Sequence, residues 1–145
     1  MDILKIFLEM QKIPKGDFIQ NPYDKIMTDF ILSDTLYTSL NMVKNKIYLT
    51  RLTLKHLSEK RDEGLYILEK IGDILRNPDF VYSGKFLNRF LISKMIYLGK
   101  GKKHHIVNLE ITTESDHIII TVFVARNSYV KNLKLLWRAA PSPSQ

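Results

Sequence analysis

The spacing of hydrophobic residues changes character about halfway along the chain. In the first half, apolar residues recur every three or four positions, as in Leu65, Leu68, Ile71 and Leu75, which predicts helices with one buried face. From Phe80 onward, the apolar runs become long and rich in β-branched residues, which is typical of strands. The pattern therefore predicts helices first and a sheet afterwards.

Turn and capping residues divide this pattern into elements. Pro14 and Gly16 end a first helix, and Asn77-Pro78 ends the last one, because proline disfavours helix at the residue before it. Asp62-Glu63-Gly64 separates the last helix from the one before it. The predicted helices cover residues 1–12, 34–42, 51–61 and 65–75, and the predicted strands cover residues 47–49, 80–82, 86–98, 105–112 and 118–125.

This order of elements predicts an α+β fold, with N-terminal helices packed on one face of a three- to four-stranded antiparallel sheet. We divide the chain into an N-terminal helical extension at residues 1–45, an α+β domain at 46–138 and a disordered tail at 139–145. The segment 129–138 is basic and aromatic. Its helical spacing favours packing against the core, and base stacking is the alternative.

Composition narrows the class of protein. With 145 residues, of which 45% are hydrophobic, the chain is long enough to bury a core. It has no apolar run of membrane-spanning length, and acidic residues near the N-terminus argue against a signal peptide, so we expect a cytoplasmic protein. The absence of cysteine excludes thiolate zinc sites and cysteine nucleophiles.

A net charge of +7 favours a polyanionic partner, most often nucleic acid. Solubility alone is the simpler explanation of that charge. No membrane partner is expected. The sequence leaves the oligomeric state open.

The stretch Ile47–Arg61 combines a short strand with a helix that carries chemistry. Thr50 is placed to cap this helix. Leu54 and Leu57 share one face, which Arg61 extends, while His56 and Lys60 lie four residues apart on a neighbouring face. Lys60, and Lys55 likewise, are expected to be solvated surface residues.

The order of these segments resembles a nuclease family. The segments in question are YLT at 48–50, TLKHL at 53–57, Arg61, NPD at 77–79 and IITVF at 119–123. Together they are similar to the phage-associated nucleases of the barnase–EndoU–colicin–RelE-like superfamily, over roughly residues 47–123. The resemblance implies that residues 46–138 form a nuclease-like domain that cleaves RNA without a metal or cofactor, in a toxin-like protein or one carried by a phage or mobile element.

The resemblance also implies three functional positions: the helix histidine at His56, a second basic residue at Arg61 and a strand hydroxyl at Thr121. Histidine is the side chain that titrates near neutral pH without perturbation, so His56 suits acid–base catalysis. Arginine stays protonated and cannot act as a base, but its planar fork suits phosphate binding. Each position also has a simpler structural explanation. In that explanation His56 is a histidine that bonds to the backbone, Arg61 a cation that interacts favourably with a helix C-terminus, and Thr121 a residue that favours strand formation.

Other charged residues are candidates for nucleic-acid binding. Arg89 and Lys94 lie five residues apart in one predicted strand, so they point to opposite faces. A charge within an apolar strand needs a partner, and phosphate is one candidate, with a solvated sheet face as the alternative. His104 and His105 are adjacent on a strand and are therefore poor joint metal ligands. The candidates for binding phosphate or nucleic acid are therefore Arg89, Lys94 and Lys60.

The sequence thus supports three hypotheses. The first is a metal-independent endoribonuclease acting on tRNA or single-stranded RNA by attack of the 2′-hydroxyl on the phosphodiester, with an antitoxin or immunity protein as a further partner. The second is a non-catalytic, basic RNA- or DNA-binding domain, and the third is a protein-interaction module.

Overall fold

A computed structural model of the protein describes residues 2–140, and the end of the predicted tail, residues 141–145, lies outside them. Strands dominate from Phe80 onward, as the hydrophobic spacing predicts, but in the first half two short strands alternate with the predicted helices. The helices are α1 Ile3–Met10, α2 Asp34–Ser39, α3 Arg51–Glu59, α4 Asp62–Arg76 and α5 Asn127–Val130. The strands are β1 Lys25–Met27, β2 Ile47–Thr50, β3 Phe80–Ser83, β4 Arg89–Leu98, β5 Gly101–Ile111, β6 His117–Ala125 and β7 Leu135–Arg138.

The predicted α+β class is correct, but the predicted three- to four-stranded antiparallel sheet is wrong. The described residues form one seven-stranded sheet in the order β1-β2-β6-β5-β4-β3-β7. Strands β2 and β6 pair in parallel, and every other pair is antiparallel. Strands β1, β2 and β7 have only three or four residues each, so their hydrophobic patterns are too short to reveal where they pair.

The main core lies between one face of the sheet and helices α1 to α4. Residues from the N-terminal segment belong to this core: Phe7 and Met10 of α1, Ile26 of β1 and Leu36 of α2 are buried. The other face of the sheet carries a smaller cluster, covered by the chain around α5. That cluster consists of Tyr82, Leu91 and Ile106, with Val130 and Leu133 packed against it.

The C-terminal segment docks on the edge of the sheet. Strand β7 pairs with β3, and Trp137 packs against the main core. Packing therefore accounts for this aromatic residue as predicted, but Trp137 lies in a strand and not in the helix that its spacing indicates. Among residues 2–140, no helix is both long and apolar enough to cross a membrane.

A glycine sets how closely α3 and α4 approach each other. A Cβ atom built on Gly64 would lie 1.8 Å from the carbonyl oxygen of Leu57. No side chain fits at that distance, so the corner between the two helices requires a glycine. Arg61, within this corner, adopts a left-handed conformation with φ of 51°.

We expect Gly64→Ala to lower the free energy of unfolding by about 1–3 kcal/mol, because the added methyl group must push the helices apart. Gly72→Ala is the matched control in the same helix. Its Cβ would meet Phe30 at an ordinary 3.5 Å, and replacing a helical glycine by alanine gains about 0.5–1 kcal/mol. Urea unfolding of both variants measures the difference, and equal effects would contradict the close approach at Gly64.

Candidate functional site

Helix α3 begins where β2 leaves the sheet, and a threonine pair fixes this turn. The Thr50 hydroxyl accepts a hydrogen bond from the Thr53 backbone N–H at 3.2 Å, which confirms the predicted N-cap. The apolar residues on either side of the cap, Leu49 and Leu54, are both fully buried. The hydrogen bond of the cap, together with the burial of a leucine before it and another after it, therefore fixes the direction in which α3 leaves the sheet.

The same turn binds α3 to strand β6. The Thr53 hydroxyl donates to the Ile120 carbonyl at 3.0 Å, and Thr53 is almost fully buried. The pairing of β5 with β6 shifts register beside Ile120, as at a β-bulge, which twists a strand and redirects its side chains. Pairing between β2 and β6 stops at Leu49 and Ile119. Beyond this point the outer edge of β6 faces helix α3.

A cavity of about 500 Å³ lies between α3 and this part of β6. It brings together three residues that the sequence singles out: His56 and Lys60 from α3 and its end, and Thr121 from β6. All three side chains are exposed to solvent. The polar lining is completed by Lys15, Thr53 and Glu59.

A buried ion pair supports the cavity from behind. The Lys55 ammonium lies 2.8 Å from the Glu59 carboxylate, and their side chains are only 3% and 15% exposed. Glu59 also accepts a hydrogen bond from the Gly16 backbone N–H at 2.7 Å, and Lys55 donates to the Pro14 carbonyl at 3.3 Å. The pair thus holds the loop that carries Lys15 against α3. The prediction that Lys55 is solvated is wrong, because the loop after α1 covers it.

Arg61 is not among the residues that line this cavity. Helix α3 ends at Glu59, so the helical stripe that was predicted to include Arg61 stops before it. Arg61 lies exposed at the corner that leads into α4. Lys60 is therefore the cation from this stretch that reaches the cavity.

Arg89 and Lys94 also lie away from the cavity, and both have partners within the protein. Arg89 contacts the Glu110 carboxylate, with its Nη2 atom at 3.1 Å. The Lys94 ammonium donates to the Asn77 carbonyl at 2.9 Å. The two side chains occupy opposite faces of β4, as their spacing predicts, and each meets the partner that a charge in a strand requires.

A second hollow of about 270 Å³ adjoins the first and shares His56 and Glu59 with it. Its outer wall carries Phe18 and Tyr23, which are 86% and 77% exposed. A hydrogen bond from the backbone N–H of Leu52 to the Pro22 carbonyl, at 2.8 Å, holds this loop against α3. Two aromatic rings are thus presented to solvent on an anchored loop beside His56.

The other three histidines are buried rather than part of a common site. His104 bonds to Ser93, with Nδ1 and Oγ 2.7 Å apart, and His105 bonds to the Tyr66 hydroxyl through Nε2 at 2.8 Å. The two rings lie on opposite faces of the sheet, as predicted. His117 stacks on Tyr37. Within residues 2–140, no three His, Asp or Glu side chains are grouped closely enough to hold a metal ion.

Sequence reasoning missed the three polar residues that complete the cavity lining, Lys15, Thr53 and Glu59. Thr53 lies three residues after the N-cap Thr50. The sequence does not show that its hydroxyl meets β6, so nothing marks it as a site residue. Lys15 lies in an irregular loop, and its place beside α3 depends on the hydrogen bonds to Glu59. Neither contact leaves a periodic signal in the sequence.

Comparisons with known proteins give no family: no family model, no curated protein and no solved structure matches this chain.

Glu59→Gln is expected to destabilise the protein by roughly 1–3 kcal/mol at neutral pH, because it leaves the buried Lys55 ammonium without its charged partner. The Lys55 ammonium and the Gly16 N–H hold the pKa of the Glu59 carboxyl below 4.5. The stabilisation is therefore present above about pH 4.5 and is lost as the pH falls through the lowered pKa. Urea unfolding should show the wild type and the variant converging in acid. Glu69→Gln, at an exposed position of α4, should match the wild type throughout.

The buried histidines predict that acidification lowers the stability in a second pH range, which lies above the range in which Glu59 is protonated. Burial lowers the pKa of His104, His105 and His117 below 6.5. In the unfolded chain these rings take up protons below about pH 6.5, whereas the folded protein resists protonation, so the free energy of unfolding should fall as the pH decreases from 7 towards 5. His117→Phe removes one such group and should reduce this dependence. Equal stability of the wild type at both pH values would contradict the prediction.

Proposed function

We propose that this protein is a metal-independent endoribonuclease that cleaves RNA by attack of the 2′-hydroxyl on the adjacent phosphodiester. The observation that carries this proposal is the meeting of His56, Lys60 and Thr121 in one solvent-open cavity. These residues come from a helix and from a strand far along the chain. An imidazole, an ammonium and a hydroxyl are the groups that phosphodiester cleavage needs.

Each group has a role in the reaction. His56 either accepts the proton of the 2′-hydroxyl as its oxygen bonds to phosphorus, with water protonating the 5′-oxygen, or it donates a proton to the 5′-oxygen as the bond between phosphorus and that oxygen breaks, with water accepting the proton of the 2′-hydroxyl. Lys60 stabilises the negative charge that builds on the phosphorane oxygens. The Thr121 hydroxyl donates a hydrogen bond to a phosphate oxygen. The products are a 2′,3′-cyclic phosphate and a 5′-hydroxyl.

Charge near the cavity supports an anionic substrate. Lys15 and Lys60 both line it, and in the part of the chain that the structure describes neither has a carboxylate within 4 Å. Phe18 and Tyr23 stand beside His56 with their rings exposed, which suits stacking with unpaired bases. The proposal therefore favours single-stranded RNA or the unpaired regions of tRNA.

The setting of this activity belongs to the same proposal. RNA of these kinds is a cytoplasmic substrate, so the protein would act there. A toxin-like role, or carriage by a phage or mobile element, would require a protein that neutralises it, such as an antitoxin or immunity protein.

A second candidate is a non-catalytic RNA- or DNA-binding domain that uses the same basic cavity. This candidate is favoured because the cavity offers a single histidine as an acid–base group. Among residues 2–140, His56 is the only histidine that lines the cavity, since the other three are buried elsewhere. A binding domain needs the cations and aromatic rings but no second acid–base group.

Cleavage of single-stranded RNA in the presence of EDTA separates the two functions. We expect the wild type to cleave, and His56→Ala to lower the rate by about 10²- to 10⁴-fold, the usual contribution of a general acid or base. Lys60→Ala should also lower the rate, whereas Lys44→Ala should not, because Lys44 is exposed outside the cavity and faces Asp34.

Two outcomes would count against the nuclease. Cleavage by His56→Ala at the rate of the wild type would remove His56 from the reaction. Binding of RNA without cleavage by the wild type would favour the second candidate, whose affinity should fall steeply as salt concentration rises.

A further inference from the structure

The open edge of β6 extends beyond the cavity that holds His56. Strand β2 leaves the sheet after Leu49 pairs with Ile119, so helices rather than a strand flank the remainder of this edge. Helix α3 borders β6 at residues 120–123, and the start of α4 borders it at residues 124–126. The start of α4 also covers the neighbouring ends of β4 and β5, where Leu98 and Lys103 lie.

A further cavity of about 460 Å³ lies between the start of α4 and the ends of β4, β5 and β6. Its lining has two cations, Lys103 from β5 and Arg126 from the end of β6, and one acidic residue, Glu63. Within residues 2–140, no carboxylate lies within 4 Å of either cation. The cavity thus holds positive charge that the protein itself does not neutralise.

An aromatic ring completes the lining in a fixed orientation. The Tyr66 hydroxyl bonds to His105, and its ring contacts the Lys70 ammonium at 5.4 Å from the centroid. Tyr66 is half-buried, so one part of the ring remains available in the cavity. Cations beside a fixed aromatic ring are the elements with which proteins follow a single nucleic-acid strand.

The two cavities are close enough to serve one RNA strand. The corner between α3 and α4 contributes Lys60 to the first cavity and Glu63 to the second. Val122, which lines the first cavity, and Arg126, which lines the second, lie four residues apart on one face of β6, a distance of about 13 Å at roughly 3.3 Å per residue. This distance exceeds the length of one nucleotide.

We propose that Lys103 and Arg126 bind a phosphate of the same RNA strand at a position removed from the phosphate that is cleaved. The substrate is then a single-stranded RNA segment of several nucleotides, and a dinucleotide fills only the cavity that holds His56. This inference rests on the proposed ribonuclease function. The cations of the second cavity contribute to substrate binding and not to the chemical step.

The first test compares substrates of different length with the double variant Lys103→Ala, Arg126→Ala. On a long oligoribonucleotide, kcat/KM should fall roughly 10- to 100-fold, mainly through KM, because charge-assisted contacts to phosphate are lost. On a dinucleoside monophosphate the rate should not change. Equal losses on both substrates, or no loss on either, would overturn the proposal.

A matched control is the double variant Lys102→Ala, Lys131→Ala, which removes the same charge. Lys102 precedes Lys103 on the same strand, but its ammonium lies over the ring of Tyr97, 5.1 Å from the centroid, and neither it nor Lys131 lines the cavity. This control should cleave the long substrate like the wild type. A loss equal to that of the first double variant would mean that overall charge, and not the cavity, governs binding.

The second test measures binding alone and does not depend on catalysis. A fully 2′-O-methylated oligonucleotide cannot be cleaved by 2′-hydroxyl attack, so its affinity can be followed as a function of salt. Loss of contact with this one phosphate should reduce the slope of log K against log salt by about 0.7, the value for one phosphate on a single strand. An unchanged slope would overturn the assignment. A reduced slope in a protein that cleaves no RNA would instead uphold the cavity and remove the ribonuclease function.

Discussion

The hydrogen bond between the Thr53 hydroxyl and the Ile120 carbonyl is the contact on which the site depends. It joins the first turn of α3 to β6 at the point where β2 stops pairing and the register of β6 shifts. If β2 continued alongside β6, the outer edge of that strand would be filled by backbone pairing. Because the chain turns into a helix there instead, the edge stays open and faces side chains from α3 and α4.

Charge is distributed unevenly around this edge, and burial explains why. Lys55 and Glu59 neutralise each other behind the cavity and hold the loop from α1 in place. Arg89 and Lys94 have partners on other parts of the sheet. Lys15 and Lys60 lack such partners within residues 2–140, so positive charge without a carboxylate partner lies beside the exposed His56. In the function that we propose, this charge binds an anionic substrate next to His56.

Local patterns in the sequence predict the parts of the fold that depend on nearby residues. The cap at Thr50, the helix that follows it, the stripe of α4 and the antiparallel arrangement of β4, β5 and β6 all follow from local spacing. The parallel pairing of β2 with β6 does not, because it joins residues about seventy positions apart through a strand of four residues. Arg61 falls outside the cavity because α3 ends at Glu59 and the chain turns at Arg61 into α4, and local spacing does not show where that turn comes. His56, Lys60 and Thr121 were identified by residue type and resemblance, and only the fold shows that they share a cavity.

The most direct test of cleavage by 2′-hydroxyl attack is to identify the chemical groups at the ends of the RNA products. Cleavage by 2′-hydroxyl attack leaves a 2′,3′-cyclic phosphate on one product and a 5′-hydroxyl on the other, and a single 2′-deoxy nucleotide at the cleaved position blocks it. Mass spectrometry of products formed by the wild type in EDTA should show those ends. Products with a 3′-hydroxyl and a 5′-phosphate, or cleavage that continues past the 2′-deoxy substitution, would contradict the account.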